Sequence, residues 1–234
     1  MNLNQEFDNY SKVMLERDRS KLFKTISFKF SISVTNLLMN LGYNKRILKN
    51  EKNKVLNIGA GNLSFDKASN TDLFPSIGQI LKGQLKRNSN KDNKYYLNLI
   101  KKEKSFENYW EGIVLSHVIE HIPTYLVKIC LKNMRTYLKK GGKIRILVPD
   151  PKKYFLDIDI KGQSPQRFYN NFFSLNRLFY GWEHQFMYSE DILTSLLSEC
   201  GFKNIKTCSF GKGELYQFDA KEREFESLCI TAEK

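Results

Sequence analysis

"VLNIGAGNLSF", residues 55–65, carries a short strand-like run into a turn with glycine at 59 and 61. Glycine directly after a strand permits a sharp turn and leaves room for a ligand where a Cβ would stand. Three readings compete: a dinucleotide cradle, a seat for another nucleotide-bearing cofactor, or a tight bend. A dinucleotide cradle asks for a third glycine and for a ribose-binding acid about 20 residues further on. Ser64 holds the third position, and the nearest suitable acid, Asp72 in "SNTDLF", comes too early for an intervening crossover helix. The first reading is disfavoured, and the rest of the chain must decide between the other two.

Beyond the loop, strand-like and helical patterns alternate. "KVLNIG", "KYYLNLI", "GIVLSHV" and "KIRILVP" read as strands. "TYLVKICLKNMRTYLKKGG" places Leu126, Cys130, Met134, Tyr137 and Leu138 on one helical face, with Thr124 as N-cap and Gly141 at the end. Residues 151–188 read as irregular and rich in aromatics, and "SEDILTSLLSECGF" as a helix opened by Ser189 and closed by Gly201. No helix separates "KNIKTCSF" from "ESLCITAE", so these two strands are expected to pair as antiparallel neighbours. The expected fold is α/β: a Rossmann-like, mostly parallel sheet finished by an antiparallel C-terminal pair, with helices on both faces.

Ahead of a domain spanning 51–234, residues 1–50 read as an N-terminal helical extension. Phe23, Ile26, Phe30, Val34, Leu37, Leu38 and Leu41 recur at steps of three and four, and Gly42 stops the helix. A stripe of this kind ordinarily buries itself against its own domain. The formal charge of +13 is concentrated: residues 1–54 hold 11 Lys and Arg against 5 Asp and Glu, and residues 82–104 hold 8 against 2. A solvated basic face explains this, as does peripheral contact of the N-terminal region with an anionic membrane or another polyanion.

No uninterrupted apolar run approaches the ~20 residues that cross a bilayer, and the N-terminus lacks a signal-peptide pattern, so the chain reads as cytoplasmic. Cys130, Cys200, Cys208 and Cys229 are scattered with no C-x-x-C pair, which indicates free thiols. No histidine stands at metal-ligand spacing from them, and no metal is expected.

"VLNIGAGN", "GIVLSHVIEHIP", "LKNMRTYLKKGGKIRILVPD" and "SEDILTSLLSECGFKNIK", in this order, resemble a class I S-adenosylmethionine-dependent methyltransferase over roughly residues 51–234. More narrowly, they resemble the methyltransferases associated with bacterial surface-polysaccharide synthesis. The resemblance implies S-adenosylmethionine as cofactor. Its methionine end, a carboxylate and an ammonium, suits the loop formed by Asn57, Gly59, Ala60, Gly61 and Asn62. By the same resemblance Asp72, followed by Leu73, hydrogen-bonds the ribose hydroxyls, and Asn98 and Leu99 flank the adenine. Ser116 and His117 end the fourth strand and face the cleft, because ligands of open α/β sheets sit beyond the carboxyl ends of strands. Asn57 departs from the acid, and Ala60 from the cysteine or other small residue, that many relatives have at these positions.

Methyl transfer is an in-line displacement in which the protein chiefly aligns donor and acceptor. A hydroxyl acceptor profits from a base, and histidine is the natural one. The chain has three: His117, His121 and His184, the last in "GWEHQFMY". Glu120 either orients a histidine or caps the following helix. The expected function is methylation of an oxygen on a small molecule or glycan precursor. Net charge motivates nucleic-acid methylation as the alternative, although "SHVIEH" stands where base-amine methylases carry an Asn/Asp-Pro-Pro-aromatic turn. A non-catalytic protein retaining the fold is the third reading, favoured by the missing acid at Asn57.

Overall fold

The computed structural model describes residues 24–61, 63–82, 95–156 and 171–234. The first 23 residues of the expected N-terminal extension, Phe23 among them, and Asn62 lie outside the described residues. Residues 24–40 are helical (α1), followed by α2 (Tyr43–Leu48) after a left-handed turn at Gly42, φ 71°. The strands are β1 (Val55–Ile58), β2 (Ser69–Asp72), β3 (Tyr95–Tyr96), β4 (Trp110–Ser116), β5 (Leu138–Pro149), β6 (Lys203–Cys208) and β7 (Ser227–Glu233). Between and after them come α3 (Ile77–Leu81), α4 (Thr124–Tyr137), α5 (Pro151–Leu156), α6 (Asn171–Asn176) and α7 (Glu190–Glu199).

Among the described residues the seven strands join one sheet in the order β3-β2-β1-β4-β5-β7-β6. β1 pairs in parallel with β2 and β4, β2 with β3, and β4 with β5, whereas β7 runs antiparallel to both β5 and β6. The mostly parallel sheet with an antiparallel C-terminal pair is as expected. β4 shows why central strands read as continuous apolar runs. Trp110, Ile113, Val114 and Leu115 are all fully buried, as both faces of the strand are covered. One core unites Leu56, Ile113, Leu115, Leu131, Met134, Ile144, Ile146 and Ile230 across β1, β4, α4, β5 and β7.

Several boundaries differ from the sequence reading. α4 begins at Thr124 but is preceded by Pro123 in the N-cap position, with no side-chain cap. It ends at Tyr137, and Leu138 and Gly141 belong to β5, because Leu138 pairs with Trp110 instead of extending the helix. Leu126 is only half-buried, while Val127, Cys130, Leu131, Met134 and Tyr137 form the inner face. The stretch read as irregular contains α5, α6 and a π-helical turn over Arg177–Gly181. Ser189 does cap α7, accepting from the Ile192 N–H at 3.4 Å, and Gly201 closes it at φ 87°. The four thiols are free, and burial pushes those of Cys130 and Cys229 up to about 12.

The largest departure concerns α1. Its apolar stripe faces outward: Ile26, Phe30, Leu37 and Leu41 are exposed, Leu41 at 72%. The row that packs inward is Ser27, Ser31, Thr35 and Met39. The cause is the backbone just past β2. The Phe74 carbonyl accepts from the Ser31 hydroxyl, and the Phe74 N–H donates to Thr35 Oγ1 at 2.8 Å. Main-chain groups at a sheet margin need polar partners, and two hydroxyls supply them where an apolar row could not. No helix among the described residues is long and apolar enough to cross a membrane.

Candidate active site

The loop after β1 is held by amides and main chain. Gly59 and Gly61 adopt φ 65° and 49°. A Cβ on Gly59 would stand 2.5 Å from Val118 Cγ2, so glycine is required there by both conformation and space. The Ala60 N–H donates to the Thr71 carbonyl at 2.9 Å. Asn57 Nδ2 donates to the Leu63 carbonyl at 2.8 Å and to Asn70 Oδ1 at 2.9 Å. The Asn57 amide therefore braces the loop, and those two donations occupy its amide hydrogens.

Asp72 ends β2, where the sequence places it, and no helix intervenes between β1 and β2. Its Oδ2 accepts from the Gly61 N–H at 3.0 Å and its Oδ1 from the Leu73 N–H at 2.7 Å. Burial raises the carboxyl above its ordinary range, and these two donors pull it back toward the anion. Each carboxylate oxygen keeps a free lone pair, so the group fits a diol while anchoring the loop. Asn98, past β3, is tied to α1: its Nδ2 donates to Asn36 Oδ1 at 3.0 Å, and its N–H faces Met39 Sδ at 3.4 Å. The Leu99 carbonyl accepts from Asn133 Nδ2 at 2.8 Å. α1 thus closes over the sheet margin that carries Asp72 and Asn98.

The chain's three histidines meet beyond the carboxyl end of β4. His117, at φ 55°, follows the strand directly and donates its own N–H to the Leu147 carbonyl at 2.9 Å. Its Nε2 lies 2.8 Å from Ser227 Oγ, whose hydroxyl donates to the Arg223 carbonyl at 2.7 Å. A hydroxyl has one proton to give, so the Nε2 of His117 carries the hydrogen and its Nδ1 is bare, 3.5 Å from Glu120 Oε1. A 3₁₀ turn over Ile119–His121 follows, and the Glu120 carbonyl accepts from the Gln185 N–H at 2.7 Å. That bond brings the segment after α6 back to the strand end and sets the His184 ring 4.7 Å from that of His121, edge to face. His184 Nδ1 donates to the Leu178 carbonyl at 2.5 Å, and the His121 ring to the Glu183 carbonyl. Each imidazole keeps one bare nitrogen.

Burial governs the charges here. It pushes His117 down to about 3 and His184 down to about 4, and lowers His121, so all three are neutral at pH 7. Glu120, wholly buried, is pushed up to about 8. The capping role considered for Glu120 is not taken up: among the described residues neither carboxyl oxygen has a hydrogen-bond partner in another residue. Asp150 Oδ1 accepts from the Lys152 N–H at 3.0 Å, a local turn bond. Ser116 Oγ and Tyr188 Oη are also buried without partners. Ser227 and Tyr188 escaped the sequence reading. Ser227 was within reach of it, because a β7 that runs antiparallel to β5 begins where β5 ends, and Ser227 pairs with Pro149.

A family described as "Methyltransferase domain" matches residues 43–207. The chain belongs to this methyltransferase family, and its strand order is that of the class I S-adenosylmethionine-dependent enzymes. No curated protein matches the chain in sequence. Among solved structures, a SAM-dependent methyltransferase from Archaeoglobus fulgidus is similar at 15% identity and TM-score 0.47, over 86% of this chain and 94% of that one. A possible histamine N-methyltransferase from Thermotoga maritima is similar at 15% identity and TM-score 0.46, over 98% of both chains. A putative O-methyltransferase from Nostoc punctiforme has 14% identity and TM-score 0.48; the match spans 88% of this chain and 59% of that one. Likenesses this distant carry no argument about the acceptor. Gly59, Gly61 and Asp72 fit S-adenosylmethionine: two backbone turns free of side chains and one carboxylate with spare lone pairs.

Proposed function

We propose that this chain methylates an oxygen of a small molecule or glycan precursor. The observation that carries the reading is the pair of bare imidazole nitrogens, on His121 and His184, beyond the end of β4. Neutral nitrogen acceptors there suit a hydroxyl, whose proton must leave as the carbon–oxygen bond forms. S-adenosylmethionine supplies the activated methyl. The residues of the chain do the rest: Gly59 to Gly61 and Asp72 fix the donor, His121 accepts the proton of the acceptor, and His184, held down to about 4 by burial, orients it as a hydrogen-bond acceptor. The experiment is mass spectrometry of a metabolite extract incubated with the protein and isotopically labelled S-adenosylmethionine. A labelled methyl on nitrogen or carbon, with none on oxygen, overturns the reading.

Two further outcomes are expected. Asp72→Ala weakens cofactor binding by about 1.5–3 kcal/mol through lost charge-assisted hydrogen bonds, while Asp66→Ala leaves it nearly unchanged. Calorimetry on both variants checks this, and equal effects count against the assignment of Asp72. The outward apolar row of α1, with Lys24 and Lys29 beside it, favours peripheral contact with anionic lipid. Salt-sensitive co-sedimentation with anionic vesicles should then be lost when Ile26, Phe28 and Leu37 are replaced by serine.

A further inference from the structure

The end of β4 holds more than a base. Ligand atoms of Glu120, His121 and His184 all lie within 4.8 Å of one another. Glu120 is fully buried, and among the described residues neither of its oxygens has a hydrogen-bond partner in another residue, the His117 Nδ1 at 3.5 Å being beyond good hydrogen-bond reach. An orphaned buried carboxyl at the bottom of an imidazole pair is costly unless something else completes it. The two rings are also prepared in the manner of metal ligands. Each spends one nitrogen on a backbone carbonyl, Leu178 for His184 and Glu183 for His121, which fixes the tautomer and leaves the other nitrogen bare. Arg223 lies close enough to act on the cluster, but it is paired with Glu226 at 2.7 Å, so its charge is largely met.

We propose that Glu120, His121 and His184 bind a first-row divalent cation. Two imidazoles and one carboxylate suit ions from manganese to zinc better than magnesium or calcium, which prefer all-oxygen shells. Three protein ligands leave coordination positions open. The site opens to solvent on the side of His121, which is exposed, while Glu120 forms its floor. The open positions admit oxygens of the acceptor, such as a hydroxyl or a vicinal pair. That role rests on the proposed O-methylation, whereas cation binding itself does not. With the cation bound, the free nitrogens of His121 and His184 are spent on it, so the ion lowers the basicity of the acceptor oxygen and the hydroxyl releases its proton to solvent instead of to an imidazole. Its oxygen then forms the bond to the methyl carbon while the carbon–sulfur bond breaks and the electron pair returns to sulfur, leaving a neutral thioether.

The test is titration of the chelator-stripped, full-length protein with Co²⁺, followed by calorimetry and by visible ligand-field bands, with Zn²⁺ as competitor. One equivalent is expected to bind, and Zn²⁺ to displace it. His121→Ala, at the most exposed side chain of the three, and Glu120→Gln should each weaken binding at least tenfold, and Glu111→Gln, remote on β4, should not. Cu²⁺ electron paramagnetic resonance should show nitrogen couplings from imidazole. Absence of binding by the intact protein up to millimolar Co²⁺, an oxygen-only Cu²⁺ spectrum, or equal affinity in all three variants overturns the proposal. S-adenosylmethionine titrated into the same stripped sample reports on the methyl-transfer reading separately. Cofactor binding without Co²⁺ binding removes only the metal site, and Co²⁺ binding without cofactor binding removes only the methyl-transfer reading.

Discussion

Asp219→Ala should lower the stability of the protein by about 3–5 kcal/mol, the cost of leaving a buried guanidinium without its counter-charge. Arg145 sits in the middle of β5, wholly buried, and donates from Nε to Asp219 Oδ1 and from Nη2 to Oδ2, both at 2.5 Å. Its Nη1 donates to the Lys212 carbonyl at 3.1 Å and the Glu214 carbonyl at 3.3 Å. Asp219 also accepts from the Gly211 N–H at 2.8 Å. The pair thus pins the connection between β6 and β7 onto the central sheet. Removing the carboxylate leaves the cation in a dry site with only two carbonyls and the Cys208 sulfur to face. Replacing both partners, Arg145→Met with Asp219→Leu, should recover most of the loss, because desolvation of the ions disappears together with their attraction. Urea unfolding of the single and double variants checks both statements. A loss below about 1 kcal/mol for Asp219→Ala would show that solvent reaches the pair.

Arg145 also shows where the sequence stops being legible. In "KIRILVP" it alternates with Ile144 and Ile146 as an outward residue of a half-exposed strand would. Its burial depends on an aspartate 74 positions later, reached only when β7 returns antiparallel to β5. The mostly parallel sheet with its antiparallel C-terminal pair, the turn at Gly59 and Gly61 and the place of Asp72 were readable because each follows from local spacing along the chain. The partial convergence of the histidines was readable too, as His117 and His121 flank one strand end. What joins His184 to them, the Gln185 N–H on the Glu120 carbonyl, is a contact between distant segments that no periodicity announces. α1 misled for a different reason. Its apolar period is real, but helix orientation was decided by two main-chain groups of Phe74 that needed Ser31 and Thr35.

The state of Glu120 gives the second large effect, in the opposite direction. Its carboxyl is pushed up to about 8 in the folded protein against an ordinary value of 4.5, because burial disfavours the anion. At pH 7 the folded chain therefore holds a proton that the unfolded chain has released. Where the folded state binds more protons, stability falls as pH rises, so this group costs nothing below 4.5 and progressively more up to 8. At pH 7 the penalty comes to about 3 kcal/mol at 1.36 kcal/mol per unit. Glu120→Gln, neutral at every pH, should then stabilise the metal-free protein at pH 7 by up to about 3 kcal/mol, and hardly at all near pH 4.5. His117 and His184, held down to about 3 and 4, work the other way: below 6.5 the unfolded chain takes protons that the folded chain refuses, and stability falls with falling pH. That loss is common to the parent and the variant, so the gap between their unfolding free energies isolates Glu120. A gap that stays constant from pH 4.5 to 8 would mean the carboxyl is already ionised or solvated in the fold. In saturating Co²⁺ the advantage of the variant at pH 7 should shrink by at least about 1.4 kcal/mol, because the folded parent binds the ion at least tenfold more tightly and gains that much more stability from it. A carboxyl whose removal strengthens the empty protein but forfeits part of the stability that the ion adds is retained for binding, and that double outcome separates a functional carboxylate from a packing defect.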